Sequence, residues 1–207
     1  SDDFQSNTVI NNHNLSGGAI VGGVSINGTP IVNYNNIYAN EPYDLVVLRS
    51  DNIEGASNYW GSFLQGDILD QIYDDLDDAS RGEFIFSPFL EDPSPGAPVP
   101  PPLNFAAVIN GTTATLSWDA IPALSATYEY HVNYSLSSDR PPYLGEDLPE
   151  GDSPINAGSA TNLTLTGIND QAIFIVITAV DDIGRVSWYS NEQFGNLNYV
   201  YIPMIWD

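Results

Sequence analysis

Short β-branched segments that end at asparagine, glycine or proline dominate the first 90 residues of this 207-residue chain. Eleven asparagines fall between Asn7 and Asn58, and asparagine and glycine make sharp corners because they tolerate left-handed backbone angles. Short strands at near-regular spacing can bury a face only by stacking on one another, so the pattern predicts a solenoid. The segments are Val9-Ile10, Ala19-Ile20-Val21, Val24-Ser25-Ile26, Ile31-Val32, Asn36-Ile37-Tyr38 and Leu45-Val46-Val47-Leu48.

The end of this region carries its most specific feature, the tetrapeptide Asn58-Tyr59-Trp60-Gly61. An acidic stretch follows, and then the phenylalanine-rich run from Gly82 to Leu90. With the asparagine-rich runs upstream, residues 7–90 resemble the last coils of right-handed parallel β-helix repeat proteins of the pectate-lyase-like kind. The resemblance implies a short parallel β-helix over residues 1–90 that ends in a cap.

The cap is predicted to be a short helix over residues 68–78. One apolar stripe on this helix would contain Ile68, Leu69, Ile72, Tyr73 and Leu76. Asp67 at its start is expected to accept hydrogen bonds from free backbone amides. A helix laid across the last coil would cover strand edges that otherwise recruit other chains, with Trp60 packed beneath it.

A proline-rich stretch, residues 91–102, separates this region from the rest of the chain. Its six prolines remove backbone donors and favour extended conformations, so neither a helix nor a sheet should run through it. It is predicted to be a semi-rigid spacer between two domains.

Residues 103–196 alternate apolar and polar positions with period two, the pattern of half-buried antiparallel strands. The run from Pro102 to Asp119, which contains Trp118, resembles the opening of a fibronectin type III domain. The resemblance covers residues 101–195 and implies a β-sandwich. The alternating segments are Leu103–Phe105, Ala114–Trp118, Tyr128–Tyr134, Leu163–Leu165 and Ile173–Ala179.

The last residues, 197–207, are too apolar for a loose tail. They are predicted to form an extra strand, which packs within the molecule or pairs with another molecule. The predicted fold class is therefore all-β: a parallel β-helix with a cap helix, a proline-rich linker, a fibronectin type III-like sandwich and a C-terminal strand.

The charge of the chain excludes several partners. The formal net charge is −23, with no lysine, four arginines and 27 acidic residues. Nucleic-acid binding and attachment to anionic membranes both need a basic face, and no apolar run is long enough for membrane insertion. High acidity without lysine is typical of a secreted or cell-surface protein, and we expect an extracellular location.

The chain is not expected to be an enzyme. The β-helix lyases that it resembles use calcium-holding aspartates with lysine or arginine, but this chain has no lysine, and Arg49 is the only arginine within the coils. A glycoside hydrolase needs closely grouped inward carboxylates, for which the coils offer Asp44, Asp51 and Glu54. Asp44 lies in a corner and the other two in a turn, so no catalytic residue is assigned.

Calcium is the one cofactor that the sequence leaves open. Asp74, Asp75, Asp77 and Asp78 could supply oxygen ligands together with turn carbonyls, although an acidic run is more often a solvated helix end. The pair Asp181-Asp182 is a weaker candidate. His13 and His131 lack the paired spacing of a zinc site and are expected to be structural.

Carbohydrate is a candidate partner because Tyr34, Tyr38, Tyr43 and Tyr59 could form an aromatic face for stacking on sugars. The alternative is that these rings pack between coils. Five Asn-x-Ser/Thr sites, at Asn14, Asn27, Asn110, Asn133 and Asn162, are possible glycosylation acceptors.

Three functional hypotheses follow. The first is a non-catalytic extracellular pair of modules for adhesion or carbohydrate contact. The second is a self-assembling filament or surface-layer subunit that joins through the N-terminal coil around Phe4 to Asn14 and through residues 197–207. The third is a non-catalytic fragment of a polysaccharide-active β-helix enzyme.

Overall fold

The computed structural model of this chain describes residues 3–14, 20–137, 139–168 and 173–195. These residues form sixteen strands and one five-residue helix, which confirms the predicted all-β fold class. No helix among them is long and apolar enough to cross a membrane. The chain divides into two compact units, the first made of Ser1–Pro100 with Pro122–Thr127 and the second of Pro101–Ile121 with Tyr128–Asp207.

The first unit contains short strands that pair in parallel in sheets of two or three strands. Each short strand pairs with a strand further along the chain rather than with its neighbour in sequence, as β1 does with β4 and β2 with β5, and this pairing satisfies its backbone groups. The elements are β1 Phe4–Gln5, β2 Thr8–Ile10, β3 Gly22–Ile26, β4 Val32–Asn33, β5 Asn36–Tyr38, β6 Tyr43–Val47, β7 Ile53–Glu54, α1 Gln65–Leu69, β8 Ile72–Tyr73 and β9 Phe84–Ile85.

The pairing arranges these strands in four layers. Layer 1 contains β1–β3 and layer 2 contains β4–β6, and the three pairs β1–β4, β2–β5 and β3–β6 join them. Layer 3 contains β7, Tyr59 and β8, and layer 4 contains β9 and Leu90. One column of the stack consists of Thr8, Asn36, Tyr59 and Leu90, each bridged to the next.

A single apolar cluster fills the inside of these layers, as the β-branched segments predict. Leu45 and Val47 of β6 are fully buried in it, and the Trp60 and Phe84 rings meet edge to face at 5.7 Å. The other buried members are Val24, Ile26, Val32, Ile37, Ile53, Ile68, Ile72 and Phe86. Trp60 is therefore a core residue of the layers, whereas the sequence placed it beneath a cap helix.

The predicted cap helix over residues 68–78 is wrong. The helix α1 ends at Leu69, and Ile72 pairs instead with Leu45 as part of strand β8. Leu76, the last member of the predicted stripe, is 74% exposed. Asp67 accepts a hydrogen bond from the Ser62 hydroxyl at 2.9 Å and no side chain caps the helix, so the expected capping role of Asp67 is wrong too. Strand pairing to β6 overrides the local helical spacing here.

The proline-rich stretch differs from the predicted free spacer, because its first part belongs to the first unit. The backbone N–H of Ser94 donates to Asn36 Oδ1 at 2.7 Å. The carbonyl of Pro98 accepts from the Thr8 hydroxyl at 2.6 Å and from Asn36 Nδ2 at 3.3 Å. Proline removes donors but leaves carbonyls free, and polar side chains of layers 1 and 2 bind those carbonyls.

The second unit has two antiparallel sheets, so the predicted sandwich is confirmed. One sheet has the order β10–β11–β14 and the other the order β13–β12–β15–β16. The Trp118 ring packs against Tyr130 at 5.9 Å and Phe105 at 6.5 Å. The strands are β10 Ala106–Asn110, β11 Thr113–Ser117, β12 Tyr128–Ser135, β13 Ile155–Asn156, β14 Asn162–Leu165, β15 Ile173–Asp181 and β16 Gln193–Gly195.

The segment between β12 and β14, which is rich in acidic residues, is hydrogen-bonded to β12. Tyr134 donates its hydroxyl hydrogen to the Gly151 carbonyl at 2.9 Å, and its own carbonyl accepts from the Gly145 N–H at 2.8 Å. Strand β13 then pairs with β12. Burial along β12 stops alternating at Asn133, and the residues from Val132 to Ser135 are all buried. The predicted strand over residues 197–207 lies outside the described residues.

Candidate functional site: the asparagine ladders and the edge of layer 1

Three asparagines from successive layers form a hydrogen-bonded ladder through the first unit, which we call ladder A: Asn7, Asn35 and Asn58. Asn35 Oδ1 accepts from the backbone N–H of Asn7 at 2.9 Å and from its Nδ2 at 3.1 Å. Asn58 Oδ1 accepts from Asn35 in the same way, at 3.0 Å and 2.9 Å. Through ladder A, layer 1 therefore donates two hydrogen bonds to layer 2, and layer 2 donates two to layer 3. In this order, layer 1 is called the top of the stack.

The amide nitrogens of ladder A also bind carbonyls at the corners. Asn35 Nδ2 donates to the carbonyls of Phe4 at 2.8 Å and Asn33 at 3.0 Å. Asn58 Nδ2 donates to Val32 O at 2.9 Å and Gly55 O at 2.6 Å. Asn35 and Asn58 are fully buried, and buried polar groups of this kind are stable only when they are fully hydrogen-bonded.

A second ladder, ladder B, joins Asn12, Asn40 and Asp44. Asn40 Oδ1 accepts from the Asn12 backbone N–H at 3.1 Å and from Asn12 Nδ2 at 2.8 Å. Asp44 Oδ1 accepts from the Asn40 backbone N–H at 2.9 Å and from Asn40 Nδ2 at 3.0 Å. Asp44 therefore ends the ladder with a carboxylate, four residues after Asn40 in the same layer.

Asp44 is 2% exposed, and its burial raises its pKa to about 7. The two hydrogen bonds from Asn40 favour the charged form, but they offset the effect of burial only in part. Asp44 was one of the carboxylates considered for a hydrolase. Its Oδ1 accepts the ladder bonds from Asn40, and the structure gives it a structural role.

Two glycines leave room for the ladders and the tetrapeptide. A Cβ on Gly23 would lie 2.4 Å from Asn40 Cγ, so the carboxamide of ladder B occupies that space. Gly61 has a φ of +72°, and a Cβ there would lie 2.7 Å from Tyr38 Cβ. The glycine of the tetrapeptide is therefore required both by its backbone angle and by close packing.

The ladders end at layer 1 with unused acceptors. Within the described residues, the Oδ1 atoms of Asn7 and Asn12 accept no hydrogen bond, although the corresponding atoms of Asn35 and Asn40 each accept two. Among the described residues, β1, β2 and β3 each pair with one strand only, in layer 2. In this part of the chain, layer 1 therefore presents an unpaired edge together with two carboxamide oxygens that accept no hydrogen bond.

A cleft of about 440 Å³ opens beside this edge. It is lined by Phe4 of β1, by Val24 and Ile26 of β3 and by the turn that ends at Pro30. Val24 and Ile26 belong to the apolar cluster inside the layers. The cleft therefore gives access to the apolar interior from the layer 1 side.

The residues of the tetrapeptide lie in the interior of the first unit. Asn58 holds ladder A, Trp60 is in the core, and Tyr59 is 1% exposed with its ring 5.6 Å from that of Tyr38. The Tyr59 hydroxyl donates to the carbonyl of Pro122, which belongs to the same unit. In the second unit, Trp118 is 4% exposed in the sandwich core.

The predicted calcium ligands do not converge. Asp74 is buried, and its two oxygens accept from the backbone N–H groups of Leu76 and Phe84, each at 3.0 Å. Asp78 binds Ser80 and Arg81, and the bonds from Ser80 lower the pKa of Asp78 most. Asp75 and Asp77 are exposed. No group of three or more metal-ligating side chains is present within the described parts of the chain.

The weaker calcium candidate, Asp181-Asp182, is organised as a turn. The Asp181 carboxylate binds Arg185 Nε at 2.7 Å, and its other oxygen accepts from the Arg185 backbone N–H at 2.7 Å. Both carboxylate oxygens of Asp181 are therefore hydrogen-bonded to Arg185. The residues are placed for a tight turn at the end of β15.

The predicted aromatic face is not assembled. Tyr38 and Tyr59 are buried and pack against each other, and Tyr43 packs against Tyr73 at 5.2 Å. Tyr34 is 50% exposed. Asn133 is 9% exposed, and its Nδ2 donates to Thr178 Oγ1 at 3.0 Å, so this glycosylation candidate is engaged in the fold.

Sequence reasoning treated the asparagines as corner residues and missed their ladders. The signal was present, because the pair Asn7 and Asn12 recurs as Asn35 and Asn40 at the same interval of 28 residues. A corner asparagine needs no such repeat. A repeated interval indicates that the side chains meet across layers.

Comparisons with known proteins give limited information. No protein-family model and no curated protein matches the chain. Among solved structures, a computationally redesigned β-sandwich protein is 23% identical, with a TM-score of 0.36, over 47% of this chain and 94% of that chain. A titin module from human cardiac muscle is 23% identical, with a TM-score of 0.33, over 46% and 88%. A myokine structure is 14% identical, with a TM-score of 0.35, over 48% and 97%.

Proposed function

We propose that this chain is a non-catalytic structural pair of modules of the extracellular space or cell surface. In this proposal the first unit is a short right-handed parallel β-helix, and the second is a fibronectin type III-like sandwich. The observation that carries it is the ladder system, in which the most buried polar groups of the first unit hold its own layers together. Such a unit is a rigid scaffold.

The carboxylates considered for catalysis support this role. Asp44 accepts both of its ladder bonds from Asn40, and Asp51 forms an ion pair with Arg49. A glycoside hydrolase needs one carboxyl group as acid and a second as base or nucleophile across one bond. The first of these side chains is engaged in ladder B and the second is mostly exposed beside an arginine.

Adhesion or carbohydrate contact is the proposed task of the exposed aromatic side chains. Trp188 in the second unit is 78% exposed and Tyr34 in the first unit is 50% exposed. Exposed aromatic faces stack on sugars, and the net charge of −23 favours neutral glycans over uronates.

A glycan array with the intact chain tests this task. We expect binding to neutral glycans, with the contribution of each unit tested separately. Trp188→Ala should remove the contact made by the second unit, and Tyr34→Ala the contact made by the first. Phe63→Ala, at a third exposed ring, is the matched control. A blank array would contradict the sugar contact and leave the structural role of the two modules. Turnover of any polysaccharide would overturn the non-catalytic proposal.

Self-assembly is a second candidate, favoured by the unpaired edge of layer 1. Unpaired strand edges recruit other chains, and head-to-tail contacts propagate as filaments. Sedimentation velocity over a wide concentration range tests it. Growth of the sedimentation coefficient with concentration supports a filament, and a monomer at every concentration contradicts it.

A further inference from the structure

We propose that the unpaired edge of layer 1 is a docking surface for an asparagine-bearing parallel β-segment of another polypeptide. The segment would continue both ladders by placing one asparagine above Asn7 and a second, five residues later, above Asn12. This inference deepens the structural role proposed above, and it is independent of the location of the protein and of sugar contact.

The backbone of layer 1 has donors for such a segment. The N–H groups of Phe4 and Ser6 both bind layer 2, at Ile31 O and Asn33 O. Alternate residues of a strand bond to opposite sides, so the N–H of Gln5 is directed away from layer 2. Asn36 donates its N–H to Asn7 O in the layer above, and Thr8 occupies the corresponding place in layer 1.

The ladders specify the side chains of the segment. In every rung that the structure describes, the upper residue donates its backbone N–H and its Nδ2 to the oxygen of the lower one. The free Oδ1 atoms of Asn7 and Asn12 therefore need donors from above, and an asparagine provides both. Aspartate provides no side-chain donor and would place a carboxylate against a carboxamide oxygen.

The cleft beside the edge indicates that the incoming segment also needs apolar side chains. Phe4, Val24 and Ile26 line it, so apolar side chains of the incoming segment would enter it. This is how the layers already pack, with apolar residues inside and asparagines at the corners. The new contact would continue the interface between layers 1 and 2.

A second copy of this chain, which the filament candidate would place here head to tail, satisfies the edge less completely than an asparagine-bearing segment. The column Thr8, Asn36, Tyr59 and Leu90 puts Phe89 directly below Asn58 in layer 4. A head-to-tail copy would therefore place Phe89 above Asn7. A phenylalanine ring donates no hydrogen bond, so ladder A would stop at that contact.

The test is an NMR titration of the isotope-labelled chain with a synthetic peptide that has the sequence of residues 29–42. This sequence contains β4 and β5 of layer 2 and carries the required asparagines at positions 35 and 40. The control peptide carries Asn35→Asp and Asn40→Asp. We expect shift changes at the amides of Gln5, Thr8 and Asn12, and binding at least about tenfold tighter than that of the control peptide.

A blocking variant gives a second readout. Gln5→Pro removes the outward N–H, and Gln5→Ala keeps it, so the first variant should lose peptide binding and the second should keep it. The comparison of peptides stands even if Gln5→Pro fails to fold. Equal binding of both peptides, or no shift at layer 1, overturns the proposal, as does a concentration-dependent dimer that the peptide does not displace. None of these results would bear on the glycan array.

Discussion

Asp44 Oδ1 accepts two hydrogen bonds from Asn40, at 2.9 Å from its backbone N–H and 3.0 Å from its Nδ2. Asn40 Oδ1 in turn accepts two hydrogen bonds from Asn12, one from its backbone N–H and one from its Nδ2. A carboxylate thus ends a ladder of carboxamides. It can do so because an ionised carboxylate only accepts, so no further donor is left without a partner below it.

Asp44→Asn should raise stability at neutral and alkaline pH. The pKa of Asp44 is about 7 in the folded chain and near 3.8 when unfolded, so the folded state holds the proton more tightly. Stability therefore falls as pH rises from about 4 to 7, and the loss is complete above 7. Asparagine keeps the acceptor without the charge but adds an Nδ2 donor at this buried position, so we expect a gain at pH 8 that is smaller than the roughly 4 kcal/mol of the full pKa difference.

Urea unfolding at pH 8 and pH 4 measures this effect. At pH 4 Asp44 is protonated in the folded state and only partly ionised in the unfolded state, so the charge-dependent part of the gain should be nearly lost. Asp44→Ala, which removes the acceptor as well, serves as the matched variant and should destabilise at both values. A gain that is the same at both pH values would contradict the role of charge.

Asn35→Ala should be strongly destabilising, because Asn35 is fully buried and occupies the central rung of ladder A. Its loss leaves the Asn58 oxygen and the Phe4 carbonyl without a side-chain donor, at a cost of about 3 kcal/mol or more. Asn7→Ala removes the partly exposed end of the ladder and should cost about 1 kcal/mol or less. Chemical denaturation of both variants provides the comparison, and equal losses would contradict the ladder.

Gly23→Ala tests the space that ladder B occupies. The new Cβ would meet Asn40 Cγ at 2.4 Å, and Asn40 cannot turn away without losing its ladder bonds. We expect a loss of about 2 kcal/mol or more. Gly28→Ala is the control, since the nearest atom to its Cβ is Pro30 Cδ at 3.8 Å, and its effect should stay within about 0.5 kcal/mol. Thermal unfolding measures both, and similar melting temperatures would sink this account of Gly23.

Calcium should leave the melting temperature of the chelator-treated chain unchanged. Asp74 binds two backbone N–H groups, so Asp74→Ala should cost about 2 kcal/mol with or without calcium. Asp75→Ala changes an exposed side chain and should have almost no effect. A rise in melting temperature with calcium that Asp75→Ala removes would restore the calcium site expected from the sequence.

Local patterns predicted strands better than they predicted the element between Trp60 and Phe84. The β-branched segments near Val9, Val24, Ile37 and Leu45 are strands, and each places an apolar side chain in or against the buried cluster. The helix expected after Asp67 was wrong because Ile72 gains more by pairing with β6 than by extending a five-residue helix. Helical spacing reports only local preference, and sheet partners far along the chain decided this case.

The candidate site could be predicted only in part. The tetrapeptide from Asn58 to Gly61 suggested that the stack ends there, but Tyr59 lies in layer 3 and pairs with Leu90 of layer 4, and its neighbours are core and ladder residues. The role of Asp44 could not be predicted, because the sequence shows an aspartate in a corner and not its contact with Asn40. The acidic run at Asp74 is ambiguous in sequence because carboxylates that accept from backbone amides look the same there as metal ligands.

Hydrogen exchange of asparagine side-chain amides, followed by NMR, tests the ladder account most directly. The Nδ2 hydrogens of Asn35, Asn40 and Asn58 are buried and donated to carbonyl or carboxyl oxygens, so they should exchange slowly. The exposed side chain of Asn27 should exchange at the rate of a free amide. Exchange of all four at the same fast rate would contradict the ladders and, with them, the proposed scaffold.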